Sequence, residues 1–163
     1  MPKSRGNSSI TLSVLDRLID EEFKYTHEIP RSKLLQKLKE GVRRDLEWLL
    51  NTRHPVQSVA EGTQLANSLY MYGLPDITSL SVLSMRDRKF LTQSIQAAVA
   101  KFEPRIINVS VHLVTIGQDR VPSLRFVIEG LLRVDPSPEH VSFDTVLELS
   151  SGEYKVQGEP SAR

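Results

Sequence analysis

Glu103, Pro104 and Arg105 put a carboxylate and a guanidinium two residues apart, with a rigid proline holding the spacing. Two uses of that arrangement follow from its chemistry. In the local one, Arg105 answers the negative end of a preceding helix, and Glu103 pairs with it or with Lys101. In the other, the paired charges form a docking surface, where they fix the register of a partner more than they add affinity. Other reactive constellations are missing from the sequence. There is no cysteine, so disulfides, thiolate nucleophiles and thiolate metal sites are excluded together. His27, His54, His112 and His140 show no metal-ligand spacing, and only His112 falls on an expected strand, on its polar side. No serine sits in a Gly-x-Ser-x-Gly elbow, and no glycine-rich loop leads into a helix. Asp16, Asp20, Glu21 and Glu22 lack the alternating loop spacing of a calcium site and read as a solvated helix face. These patterns give no catalytic residue, no metal site, no cofactor and no small-molecule ligand.

The elements that must position Glu103 and Arg105 can be read from hydrophobic period. Leu12, Leu15, Leu18 and Ile19 recur at helical steps, to about Glu22. Leu35, Leu38, Val42, Leu46 and Leu49 mark a longer helix, with Lys39, Arg43, Arg44 and Glu47 for its wet side. Gly41 costs that helix about 1 kcal/mol relative to Ala, so its start is expected later than Ser32. Trp48 falls beside the apolar stripe, as core or as a partly exposed anchor. Leu65 to Tyr70 suits a short helical turn, and Tyr72-Gly73-Leu74-Pro75-Asp76 a tight turn, with Gly73 and Pro75 serving the fold. Ser84 and Asp87 resemble a capping box opening a helix whose apolar face is Phe90, Leu91, Ile95, Ala98, Val99 and Phe102. Pro104 ends it.

Past Pro104 the period drops to two. Ile107, Val109, Val111 and Leu113 alternate with Asn108, Ser110, His112 and Val114. Leu124, Phe126 and Ile128 form a second strand, and Val141, Phe143, Thr145 and Leu147 a third. A Ser150-Ser151-Gly152 turn leads to a short last strand, Tyr154-Lys155-Val156. Helices first and strands second predict an α+β fold, N-terminal helices packed on a C-terminal antiparallel sheet of three to four strands. The expected organisation is a disordered leader over 1–9, one domain over 10–157 and a flexible tail over 158–163.

Composition narrows the partners. Twenty-one Lys and Arg face twenty Asp and Glu, a net charge of +1 that calls for no polyanion. Arg43-Arg44 and Arg86-x-Arg88-Lys89 carry no interleaved aromatics, so nucleic-acid binding is not expected. No stretch approaches the ~18 apolar residues of a membrane span. The N-terminal residues lack the apolar run of a signal peptide. The expected address is the cytoplasm, without membrane insertion.

Five segments in order carry a family likeness. They are Val14-Leu15-Asp16-Arg17-Leu18, Val42 through Arg53 (VRRDLEWLLNTR), Tyr72-Gly73-Leu74-Pro75-Asp76, Phe102-Glu103-Pro104-Arg105 and Val141-Ser142-Phe143-Asp144-Thr145. Together they closely resemble the TssE family of type VI secretion baseplate subunits, kin to a small wedge protein of contractile phage tails. The likeness runs from about Leu12 to Val156. It implies a structural part that sits beside the wedge subunits TssF and TssG, near the start of the contractile sheath. It also implies that Glu103, Pro104 and Arg105 engage the core bundle of the wedge. Because the family resembles the part of the sheath subunit through which neighbours exchange strands, Tyr154, Lys155 and Val156 are expected as an edge to which sheath subunits add.

Relatives that carry a lysozyme-like label raise a glycosidase as the alternative. That chemistry needs two carboxyl groups about 5 to 9.5 Å apart, one held protonated. Glu103 is the residue to nominate, but a close Arg105 favours the charged form. Asp144 alternates onto a polar strand face, and Trp48 is the sole tryptophan where a saccharide cleft would offer several aromatic platforms. A free-standing protein-binding adaptor is the remaining alternative.

Overall fold

The computed structural model describes residues 13–19, 30–55, 59–60, 62–77, 80–81, 84–117 and 123–158. The expected leader, Leu12, the acidic residues 20–22, His27 and the tail beyond Gly158 lie outside them. Among the described residues three α-helices, α1 (Val14–Ile19), α2 (Arg31–Asn51) and α3 (Met85–Phe102), precede four strands, β1 (Ile106–Gly117), β2 (Ser123–Leu132), β3 (Glu139–Glu148) and β4 (Glu153–Val156). The fold is α+β, with one antiparallel sheet in the order β1-β2-β3-β4. α3 packs over β1 and α2 over β4. The core fills the space between helices and sheet.

The helical stripe read from sequence is the buried one in α2: Leu38, Val42, Leu46 and Leu49, joined by Leu50. The helix begins at Arg31, earlier than Gly41 suggested. Gly41 is buried, and a Cβ built on it would come 2.8 Å from Asp16 Oδ2. The residue that weakens the helix locally is therefore the one that admits α1.

In α3, Leu91, Ile95, Ala98 and Val99 are buried and Phe102 is partly so. Phe90, expected on that face, is 46% exposed. Ser84 caps the helix by accepting the Asp87 N–H at 3.3 Å, whereas the Asp87 carboxylate accepts from Ser81 N–H rather than returning to Ser84. The cap is thus one-sided.

Period two holds through β2, β3 and β4, where Leu124, Phe126 and Ile128, then Val141, Phe143, Thr145 and Leu147, then Tyr154 and Val156, face the core. β1 departs from the expected phase. Its pairing with β2 slips by one residue between Ile107 and Ser110, with Asn108 at φ 55°. This bulge makes Ile106, not Ile107, the core residue before it, and returns Val109, Val111 and Leu113 to the core side after it. His140 lies in β3, so it joins His112 on a strand.

The turn at Gly73 ties the middle of the chain to the end of α2. Leu74 N–H donates to Thr52 O (2.9 Å) and His54 N–H to Leu74 O (3.0 Å), which buries Leu74 completely. Gly73 has φ 109°, and a Cβ there would overlap the Thr52 carbonyl. Gly73 is there for the fold. The short helical turn expected before it is a 3-10 turn at Leu69–Met71.

Candidate functional site

Helix α3 stops at Phe102 because Pro104 forbids its continuation, and β1 starts four residues later. In that tight corner Glu103 turns inward and is only 4% exposed, while Pro104 faces out. A carboxylate so buried must be paired. Arg105 supplies the pair: Nε donates to Glu103 Oε1 at 2.6 Å, Nη2 to Oε2, and the backbone N–H to Oε1 at 3.3 Å.

The same Nη2 donates to Asp45 Oδ2 on α2 at 2.6 Å. Arg44 holds the other oxygen of Asp45 through Nε (3.1 Å) and Nη2 (3.0 Å), and its Nη2 also meets Asp16 Oδ1 at 2.8 Å. Ser13 Oγ donates to Asp16 Oδ2 at 2.6 Å. A chain of alternating charge, Asp16–Arg44–Asp45–Arg105–Glu103, therefore runs from α1 across α2 to the start of β1. It holds one carboxylate more than it has guanidiniums.

The electrostatics follow from this arrangement. Burial works against the Arg105 cation, yet bonds to Glu103 and Asp45 overcome it and push its pKa upward. Arg44 is raised in the same way, its loss of water outweighed by Asp45 and Asp16. Burial also opposes the Asp16 anion, but hydrogen bonds from Ser13 and Arg44 hold its carboxyl below the usual value of 3.8. The Tyr72 phenol is pushed up by burial and then by the carboxylates of Asp45 and Glu103, so it stays a neutral donor.

Next to this chain lies an open groove of about 410 Å³. Trp48, Leu49, Tyr72 and Phe102 give it an apolar wall, and Ser13, Asp45, Glu103, Pro104 and Arg105 line the rest. Tyr72 and Phe102 meet edge to face at 5.2 Å between ring centres. Trp48 is 51% exposed, with the Arg44 guanidinium stacked 4.9 Å from its ring centre. Trp48 is thus exposed surface and not core. Rigid aromatic surface beside fixed charge, in a concave place, is suited to binding a protein side chain or helix.

The chain matches the baseplate wedge protein gp25 family over residues 36–137, more than half its length. It belongs to that family. No curated protein matches it closely enough to count as a relative. The matched span holds α2 from residue 36 onward, the Gly73 turn, α3, the Glu103–Arg105 corner, β1 and β2, so the residues that line the groove, Ser13 apart, lie within it. What this establishes is a structural part of a phage-tail-like baseplate.

The expected site residues do not all meet. Glu103, Pro104 and Arg105 share the groove, whereas Tyr154, Lys155 and Val156 lie in β4, at the end of the sheet. β4 is the last strand, but most of its outward backbone groups are engaged. The Asn51 side chain donates to Tyr154 O and accepts from Tyr154 N–H, both at 2.8 Å, and Arg43 Nη1 donates to Val156 O at 3.0 Å.

Asp45 and Tyr72 are site residues that pattern reading passed over. The signal for Asp45 was a carboxylate directly before Leu46 of the buried stripe, unassigned to the wet side. Tyr72 stood in the Tyr72-Gly73-Leu74-Pro75-Asp76 turn, with no role of its own. The two carboxylates considered for glycosidase chemistry line separate depressions: Glu103 the groove, Asp144 one beside Val114, Arg125 and Gln157. Among the described residues no group of three His, Asp or Glu side chains could hold a metal ion, and no helix is long and apolar enough to cross a membrane.

Proposed function

We propose that this gp25-family chain is a non-catalytic structural subunit of a type VI secretion baseplate, acting in the cytoplasm. In this reading it docks on the core bundle of the wedge subunits TssF and TssG through the groove at the helix-to-sheet junction. The observation that carries the proposal is the corner itself. Glu103 is buried and tied to Arg105, Arg105 is tied to Asp45, and the result is a rigid charged rim around exposed Pro104 and Trp48. A preformed rim spares a partner the cost of ordering the site on binding.

Glu103 is thereby a positioning residue, and the surface a partner touches is Trp48, Pro104 and the wall between them. The same geometry argues against glycoside hydrolysis. Both oxygens of Glu103 accept from Arg105, which leaves neither to protonate a leaving group, and Asp144 lies in a different depression.

The sheath-templating part of the proposal uses strand addition, and the sheet has two ends. At β4 a new strand would have to displace Asn51 and Arg43, so the reading moves from Tyr154, Lys155 and Val156 to β1, the edge at the other end. β1 is 12 residues long against four for β4 and gives a longer template.

The test is co-purification with the TssF–TssG subcomplex of the same source, comparing wild type, Trp48→Ala and Glu103→Ala/Arg105→Ala, with circular dichroism to verify folding. Trp48→Ala is expected to fold normally and to weaken capture at least tenfold. Full capture by folded forms of both variants would remove the groove from the interface. No capture of wild type would remove the partner assignment.

A further inference from the structure

A strand at the end of a sheet normally exposes a row of backbone donors and acceptors. β4 does not, because three side chains from α2 and the residues just after it lie along its outer side. The Asn51 carboxamide presents one acceptor and one donor, the same two groups that a neighbouring strand would offer, to Tyr154 N–H and Tyr154 O, both at 2.8 Å. Its second donor position is anchored on Glu47 O at 2.9 Å, one helical turn back, which fixes the amide's orientation. Arg43 Nη1 takes Val156 O at 3.0 Å and is steadied by Glu47. Arg53 Nη2 takes Gly152 O at 3.0 Å, at the turn into the strand, with its guanidinium 5.6 Å from the Tyr154 ring centre. Of the five outward groups from Gly152 O to Val156 O, four are thus bonded by side chains: Gly152 O, Tyr154 N–H, Tyr154 O and Val156 O.

We infer that Asn51 and Arg43 are specificity residues that close β4 against strand addition, and that the partner they exclude is a second copy of this chain. The choice of partner comes from the charges on β4. Two β4 strands paired antiparallel about Tyr154 would set Glu153 of one copy opposite Lys155 of the other, and the reverse, so the strand is complementary to itself. Tyr154 and Val156 would remain in the core of each copy, because their side chains already face inward. The guards Asn51 and Arg43 hold the strand groups about which two such sheets would join into one of eight strands, and Arg53 holds the turn that leads into the strand. The inference concerns the end of the sheet away from the groove and does not depend on the baseplate assignment.

The experiment uses the absence of cysteine from the sequence, which makes introduced cysteines clean reporters. Full-length Glu153→Cys chain is mixed with full-length Lys155→Cys chain under mild oxidation, once with Asn51 and Arg43 intact and once in an Asn51→Ala/Arg43→Ala background. The expected result is a disulfide-linked heterodimer that rises at least tenfold when the guards are removed, while neither reporter alone responds. A folded guard-less pair that yields no more heterodimer than the guarded pair would overturn the inference, as would equal cross-linking in both backgrounds. Amide exchange in the unmodified protein decides the matter if the guard-less chain does not fold. Tyr154 N–H is expected to be as well protected as the N–H of Lys155, and exchange at the rate of an open edge would overturn the closure.

Discussion

At the residue scale, Glu103 is tied into the fold by its burial and by Arg105. A carboxylate that is 4% exposed and held through both oxygens cannot reach out to another protein without abandoning Arg105. Removing its charge leaves Arg105 half-buried with Asp45 as its remaining anion. Glu103→Gln is therefore expected to lower stability by about 3 kcal/mol, the lower end of the range for stripping a buried charge of its partner. Urea denaturation measures this, and a loss below ~1 kcal/mol would mean that the pair contributes little to the fold. Trp48 is the contrasting case. Its exposed indole contributes little to the core, so truncating it should cost docking and not stability.

At the element scale, a charged contact joins α1 to α2. Val14 and Leu18 are 72% and 70% exposed, whereas Asp16 lies against Gly41 and is bonded to Arg44. Gly41→Ala should displace Asp16 while raising the propensity of α2 by about 1 kcal/mol. Overall stability is expected to change little, and amide protection over residues 14–19 is expected to fall. Acid should release the same contact. The Asp16 carboxyl titrates lower in the folded chain than the ordinary 3.8, so its contribution is present above that value and is lost as pH falls through the depressed one. The stability difference between wild type and Asp16→Asn, about 1 kcal/mol at pH 7 by analogy with partly exposed pairs, should disappear on that descent. A difference that persists at low pH would show that Asp16 acts through packing alone.

At the scale of the whole molecule, two of the sutures that join segments far apart in sequence lie beside the groove. One is the charge chain from α1 to β1. The other is the Gly73 turn, which hydrogen-bonds the segment before α3 to the end of α2 through Thr52, His54 and Leu74. Gly73→Ala faces both a positive φ and the Thr52 carbonyl, and should cost about 3 kcal/mol or more. Thermal unfolding would detect it, and a melting point equal to wild type would show that the turn rearranges freely. Between these sutures α2 acts as the spine. Asp45 serves the groove, while Arg43 and Asn51 serve the far end of the sheet.

Much of this was written locally in the chain. Period 3.6 in α2 and α3, period 2 in β2 to β4, and Pro104 at the helix end are near-neighbour effects, so residue type and spacing gave the α+β order and the corner at Glu103. There were exceptions. The Asn108 bulge moved the core position from Ile107 to Ile106, and Phe90 turned outward from an apolar face. Gly41 stayed inside a helix that local propensity would have shortened, and there a contact across the chain, with Asp16, goes with the exception. The pairings Arg105–Asp45, Arg44–Asp16 and Asn51–Tyr154 span from 28 to 103 positions. Sequence determined that charges of both signs and an amide were available on α2. Only the packing of that helix against a sheet strand and a corner remote in sequence decided which of them met, because hydrogen bonds form across ångströms of space and leave no periodic mark along the chain.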